Sequence, residues 1–141
     1  MNIYNVYICF TKRLINANKS SMKLNLGAGP NWRHNGWHIL DHKLKKNEKY
    51  KIKGNLNKIN LKSKICDLVF ISHTLEHIPQ PFDFLEKIKG INGDSGCVYI
   101  EVPDLGWIKE NNAFYDVAYE HVNYFSLDSL ASLFGNKCLE K

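Results

Sequence analysis

The stretch HTLEHIPQP, residues 73–81, places His73, Glu76 and His77 in the order H-x-x-E-H. This order is the zinc-binding signature of one class of metallopeptidases. Side chains four residues apart share one face of a helix, so both imidazoles could bind one Zn²⁺. Pro79 argues against this reading, because a proline disfavours the α conformation at the residue before it and limits the two histidines to a single turn.

The segment before the motif indicates a different kind of site. Residues 67–72, DLVFIS, form an unbroken apolar run, which is typical of a strand buried on both faces. The loops that follow such strands carry the ligand sites of open α/β sheets. We therefore interpret residues 73–77 as a pocket loop and predict no metal there. A zinc hydrolase is the alternative, and metal analysis would then show about one equivalent of zinc.

Length and composition indicate one soluble globular domain. The chain has 141 residues, of which 44% are hydrophobic and 23% are charged, close to globular averages. Its apolar runs are too short to span a bilayer and no secretory signal is evident, so we expect a cytoplasmic protein without a membrane partner. The four cysteines contain no C-x-x-C pair, and we interpret them as small buried apolar residues.

The positive charge does not indicate a nucleic-acid partner. The formal net charge is +5, and six lysines fall between Lys43 and Lys53. The whole chain has two arginines, Arg13 and Arg33, to supply the bidentate contacts that read guanine or grip phosphate. We interpret Lys49, Lys51 and Lys53 as the solvent face of an edge strand and predict no nucleic-acid binding.

Apolar runs and helix signals predict a doubly wound, mostly parallel α/β sheet of the Rossmann-like type. The predicted strands cover residues 23–26, 37–41, 50–53, 67–72 and 97–102. One helix should begin at Pro81 and end near Gly90, and a second should follow Ser126 and end before Gly135. We assign residues 1–21 to an N-terminal extension or cap and residues 22–141 to the domain, which is short for this fold.

The first predicted strand leads into a glycine turn, NLGAGPNW, in which Gly27 and Gly29 let the backbone approach a ligand closely. The dinucleotide fingerprint G-x-G-x-x-G would need glycine where the chain has Trp32, so a nucleoside without phosphates fits better. Asp41 ends the second strand, where its carboxylate could accept hydrogen bonds from both ribose hydroxyls.

These motifs, together with VYIEVPD and YEHVNYFS further along the chain, resemble class I S-adenosylmethionine-dependent methyltransferases, including small-molecule and sugar methyltransferases. The resemblance covers residues 23–126. It implies S-adenosyl-L-methionine as cofactor and a small-molecule acceptor, which could be a sugar. By this resemblance, Gly27, Ala28 and Gly29 of the glycine turn hold the methionine end of the cofactor, and Asp41 holds the ribose. Asn55 and Leu56, in the loop after the third strand, contact adenine. Ser72 and His73, where the fourth strand meets the pocket loop, line the cofactor site.

The chain departs from the family pattern in two ways. Asn25, Asn31 and Asn55 stand where acidic residues or glycine are common, so we expect weakened but not abolished cofactor binding. The family sheet usually carries two further strands after the helix at 127–134, and the sequence stops before them, so we expect a C-terminally truncated methyltransferase domain. Residues 97–102 should then form an exposed apolar edge, through which an oligomer could form.

The resemblance places acid/base chemistry in YEHVNYFS, residues 119–126. In the sugar carbon-methyltransferases that this segment resembles, an E-H pair does this work, which assigns Glu120 and His121 as catalytic residues. A histidine suits proton transfer near neutral pH. His73 and Tyr124 are the reserve candidates. Two alternatives stay open: His121 only packs the last helix, or the short chain is an inactive or partner-dependent cofactor-binding module.

Overall fold

The computed structural model describes residues 3–9, 22–29, 31–32, 34–41, 43–44, 51–56 and 66–134. In these ranges the chain forms one six-stranded sheet with the order β1-β6-β5-β2-β3-β4. The strands are β1 (Ile3–Cys9), β2 (Lys23–Leu26), β3 (Trp37–Asp41), β4 (Lys51–Lys53), β5 (Cys66–Ser72) and β6 (Asn92–Pro103).

Strands β2 to β6 pair in parallel, as the spacing of apolar runs predicted. Their core side chains alternate along each strand, so that Leu24 and Leu26 of β2 lie beside Val69 and Ile71 of β5 on one buried face. The carboxyl ends of these strands therefore meet at one edge of the sheet. The predicted Rossmann-like fold is confirmed.

Helix α1 (Pro81–Ile91) connects β5 to β6 and begins at Pro81, as predicted. It covers the buried face of the sheet with Phe84, Leu85, Ile88 and Ile91. The short helix α3 (Leu127–Ser132) comes later in the chain than β6 and also lies where the sequence predicted it.

A reciprocal cap fixes the start of α3. The Ser126 hydroxyl accepts from the backbone N–H of Ser129, and the Ser129 hydroxyl accepts from the backbone N–H of Ser126. Helix α2 (Leu105–Glu110) was not predicted. Asp104 caps it by accepting from the backbone N–H of Trp107 at 3.0 Å.

The prediction of an exposed edge at residues 97–102 was wrong. Strand β1 pairs with β6 in antiparallel register, from Ile3 opposite Pro103 to Cys9 opposite Cys97. The N–H and C=O groups that β6 would have exposed at this edge are thereby paired. The sheet edge on this side is therefore β1 rather than residues 97–102. The oligomer expected through an exposed sheet edge and the boundary at residue 21 both stay predictions.

The sequence had indicated four equivalent buried cysteines, whereas the structure shows that at least two of them differ. Cys97 is disulfide-bonded, which the prediction of four buried thiols missed. Cys66 is a free thiol, and burial together with the neighbouring Asp67 carboxylate raises its pKa from 9.0 to about 11. Each helix in the described part of the chain is too short or too polar to span a bilayer.

Candidate functional site

The glycine turn leaves β2 at the carboxyl edge of the sheet. Gly27 and Gly29 have φ angles of 73° and 77°, in the left-handed region that glycine adopts without strain. The backbone N–H of Gly27 donates to the carbonyl of Leu40 at 3.0 Å, which ties the turn to β3. The predicted tight turn is therefore present.

Thr74 of the pocket loop packs directly against the turn. Its hydroxyl lies 3.2 Å from the Leu26 carbonyl and 2.9 Å from the Ser72 carbonyl. A Cβ at Gly27 would overlap this hydroxyl, whereas no described atom lies within 4 Å of a Cβ at Gly29. Gly27 thus permits contact between two loops, and Gly29 faces open space.

Asp41 locks the same turn from the end of β3. Its side chain is buried, with 3% of its surface exposed. One carboxylate oxygen accepts from the backbone N–H of Gly29 at 2.9 Å, and the other accepts from that of Lys43 at 2.6 Å. A carboxylate oxygen can accept more than one hydrogen bond. The predicted contact of Asp41 with ribose stays a prediction.

The other predicted cofactor residues follow neighbouring strands. Asn55 and Leu56 follow β4 after one intervening residue, Gly54; Asn55 is exposed and Leu56 packs partly against the core. Ser72 ends β5, and His73 follows it with an exposed side chain and a φ of 45°. All of them lie at or just beyond the carboxyl ends of parallel strands, as predicted.

The segment after α2 returns to the pocket loop and is fixed there through backbone groups. The N–H groups of Val122 and Asn123 donate to the Glu76 carbonyl at 3.0 and 3.1 Å. The side-chain amide of Asn123 donates to the Ile78 carbonyl at 2.6 Å. The two sequence motifs H-x-x-E-H and E-H are therefore parts of one site.

His121 is the predicted catalytic residue that these contacts bring to the pocket loop. Its ring centroid lies 4.8 Å from that of His77 and 5.8 Å from that of Tyr124. The ring is half-buried, and its Nδ1 is buried with no hydrogen-bond partner among the described residues. The Glu120 side chain is exposed, and its backbone carbonyl accepts from the His77 ring at 2.9 Å. The structure thus brings the His121 side chain to the pocket loop and gives Glu120 a backbone contact.

Sequence reasoning missed one cluster. Glu76, His77 and His121 each offer a ligand atom, and these atoms lie within 4.8 Å of one another. The sequence had grouped His77 with His73 instead, because those residues are close in the chain. His121 lies far along the sequence, and its position depends on the path of α2 and the loop after it. The sequence signal that could have indicated this cluster was the E-H pair that follows β6, because it comes after a strand that ends at the same edge of the sheet.

Comparison with known proteins decides the family. A family described as "Methyltransferase domain" matches residues 12–137. The chain belongs to this methyltransferase domain family. The resemblance to class I methyltransferases that the sequence motifs indicated is thereby confirmed.

Two relatives of this methyltransferase domain give its context. The C-methyltransferase NovU of Streptomyces niveus is 34% identical over 70 residues, which are 50% of this chain and 17% of that protein. A solved SAM-dependent methyltransferase of Thermotoga maritima, described as a possible histamine N-methyltransferase, aligns with a TM-score of 0.61 and 18% identity. That alignment covers 85% of this chain and 64% of the other, and it supports the fold alone.

Proposed function

We propose that the protein transfers a methyl group from S-adenosyl-L-methionine to a small-molecule acceptor. The observation that carries this proposal is the meeting of two loops at the carboxyl edge of the sheet. The glycine turn, locked by Asp41, lies beside a pocket loop that holds His121 through the 120–123 segment. The turn that would bind the cofactor and the loop that would face the acceptor are then adjacent.

The residues of the turn fit the proposed cofactor. A Cβ at Gly29 would meet no described atom within 4 Å, so the backbone of the turn is open to a ligand. The Asp41 carboxylate beside it is a group of the type that accepts hydrogen bonds from ribose hydroxyls. Gly27, Ala28 and Gly29 would hold the methionine end, Asp41 the ribose, and Asn55 with Leu56 the adenine. The cofactor supplies an activated methyl group on a sulfonium. The protein aligns the acceptor and excludes water, and such alignment can lower a barrier by about 7–11 kcal/mol at best.

A sugar or a similar small molecule is the proposed acceptor class. The relative NovU is named a C-methyltransferase, and forming a carbon–carbon bond requires that the acceptor carbon lose a proton. His121 is the proposed proton acceptor, with Glu120 assisting. Its half-buried ring beside the pocket loop supports this assignment, since a base must reach the acceptor while remaining shielded from bulk water.

A second candidate function follows from the share of its relatives' length that the chain spans. The chain spans 17% of NovU and 64% of its structural neighbour, so the acceptor-binding part could be supplied by another segment or a partner. In that case the chain would be a cofactor-binding module without turnover of its own. This reading shares the cofactor site and differs only in catalysis.

Calorimetric titration with S-adenosylmethionine, followed by a product assay for S-adenosylhomocysteine over a panel of sugars and small nucleophiles, tests the proposal. We expect saturable one-site binding and acceptor-dependent product. Binding without product from any acceptor would favour the module. Absence of binding by a folded chain, checked by circular dichroism, would refute both readings.

A further inference from the structure

We propose that Glu76, His77 and His121 bind a divalent transition-metal ion of the zinc type. This site goes beyond the proposed methyl transfer and gives His121 a different role, because a ring nitrogen that coordinates a metal cannot also accept a proton. It also departs from the expectation, drawn from the sequence, that the pocket loop binds none. Three independent observations carry it, one for each side chain.

The Glu76 carboxylate is buried without adequate partners. The residue is 1% exposed, and neither of its carboxylate oxygens has a hydrogen-bond partner in the part of the chain that the structure describes. The His73 ring lies beside it, with Nδ1 3.5 Å from Oε1, which is beyond a good hydrogen bond. Burying an ionised carboxylate is strongly unfavourable unless a cation or several donors compensate it. A bound cation would provide that compensation.

His77 has the hydrogen bond that metal-binding histidines usually make. Its Nδ1 lies 2.9 Å from the backbone carbonyl of Glu120, and since a carbonyl only accepts, this nitrogen carries the proton. The proton is then absent from Nε2 of the neutral ring, which leaves a lone pair for coordination. A backbone carbonyl that fixes the tautomer in this way is a common outer contact of zinc-binding histidines.

His121 supplies the second imidazole. Its Nδ1 is buried and lacks a partner among the residues described, and its ring lies in edge contact with that of His77. The ligand atoms of the three residues are within 4.8 Å of one another, whereas tetrahedral zinc with bonds of about 2.0–2.1 Å needs separations of roughly 3.4 Å. Binding would therefore require side-chain rotations that bring the ligand atoms closer together by up to about 1.4 Å.

The donor set selects the type of metal. Two imidazoles and one carboxylate suit Zn²⁺ and its transition-metal neighbours, whereas Mg²⁺ and Ca²⁺ prefer sites built of oxygen ligands. Three protein ligands leave at least one coordination position for water or an acceptor oxygen. The site therefore differs from the H-x-x-E-H signature, because it uses His121 in place of His73.

Metal binding by the purified full chain, without an affinity tag and without cofactor, tests the site. After treatment with a chelator and dialysis, the protein is titrated with ZnCl2 by calorimetry and with CoCl2 by visible absorption, which reports coordination geometry. We expect one site for Zn²⁺ and a Co²⁺ spectrum that Zn²⁺ abolishes. Because the titration involves neither cofactor nor acceptor, its failure would leave the proposed function untouched.

Matched histidine variants identify the ligands. His121→Ala and His77→Gln should each weaken Zn²⁺ binding by at least about 100-fold, since loss of an outer contact alone costs 10- to 100-fold. His73→Ala, which removes a histidine close to Glu76, and His34→Ala, which removes an exposed histidine, should change affinity less than threefold. Circular dichroism checks that each variant is folded.

Three results would overturn the proposal. One is the absence of Zn²⁺ binding tighter than about 100 μM, which corresponds to about −5.5 kcal/mol. Another is unchanged affinity in both folded ligand variants. The third is a loss of affinity in His73→Ala equal to that in His77→Gln, with His121→Ala unchanged, which would restore the H-x-x-E-H site.

Discussion

The two halves of the candidate site differ in how their polar groups are satisfied. In the turn half, made of Gly27, Gly29, Asp41 and Thr74, the buried carboxylate accepts two backbone hydrogen bonds and the threonine hydroxyl contacts two carbonyls. In the histidine half, made of Glu76, His77 and His121, the carboxylate and one ring nitrogen are buried without hydrogen-bond partners in the described residues.

This difference separates stability from function. Satisfied buried groups stabilise the fold whether or not a ligand is bound, because breaking them leaves desolvated donors behind. Unsatisfied buried groups lower stability and persist where a ligand or a reaction uses them. Changes in the turn half should therefore reduce both stability and cofactor binding. Changes in the histidine half should reduce activity or metal binding while leaving the fold intact.

The largest expected effect concerns turnover in the histidine half. His121→Ala should lower methyl transfer by about 10² to 10⁴, whether the side chain acts as the proton acceptor or as a metal ligand, and should leave cofactor affinity nearly unchanged. Steady-state kinetics with the identified acceptor, together with cofactor calorimetry, measure both quantities.

The metal dependence of that loss distinguishes the two roles. If His121 is the base, wild-type turnover should survive treatment with a chelator. If His121 is a ligand, the chelator should abolish wild-type turnover, and added Zn²⁺ should restore it. Normal turnover of the variant with a lowered melting temperature would instead show that His121 only packs the loop before α3.

The next effect is the loss of stability on adding one methyl group to the turn half. Gly27→Ala combines a left-handed φ with overlap against the Thr74 hydroxyl, so we expect a loss of about 4 kcal/mol in the free energy of unfolding. Gly29→Ala has the same backbone strain but open space, and should cost about 1–2 kcal/mol. Urea unfolding compares them, and equal losses would show that the contact with Thr74 is unimportant.

Asp41 provides a third test of the turn half. Asp41→Ala removes the acceptor of the Gly29 and Lys43 N–H groups, which should cost about 3 kcal/mol of stability and weaken S-adenosylmethionine binding. Asp67 is the matched control, because it accepts one backbone N–H, that of Met22, at the opposite edge of the sheet. Asp67→Ala should cost about 1.5 kcal/mol and leave cofactor affinity unchanged. An equal loss of cofactor affinity in both variants would show that the loss comes from destabilisation of the fold rather than from the missing Asp41 carboxylate.

The turn half was largely predictable from sequence, because its residues follow one another along adjacent strands. Gly27 and Gly29 come directly after an apolar run, and Asp41 ends the next one, so their meeting follows from parallel pairing alone. The satisfaction of the Asp41 carboxylate by backbone N–H groups was not predictable, since it depends on loop conformation rather than on the strand pattern.

The histidine half could be predicted only in part. Position after β6 placed His121 at the correct edge of the sheet, whereas its contact with His77 depends on helix α2, a helix of 6 residues that carries no long periodic pattern. Strand β1 escaped prediction for a related reason. Pairing between the first and the sixth strands is a long-range contact, and local sequence does not encode the partner of a strand.

The smallest expected effect has the opposite sign to the others. Glu76→Leu replaces a buried carboxylate that lacks hydrogen-bond partners by an apolar side chain of similar volume, so metal-free protein should become more stable by about 1 kcal/mol. The same variant should lose the proposed Zn²⁺ binding. Urea unfolding with and without Zn²⁺ measures both: the ion should raise the stability of wild-type protein and leave that of the variant unchanged. A metal-free variant less stable than wild type would mean that the contact with His73 at 3.5 Å already stabilises the carboxylate. In that case the contrast between the two halves of the site would no longer hold.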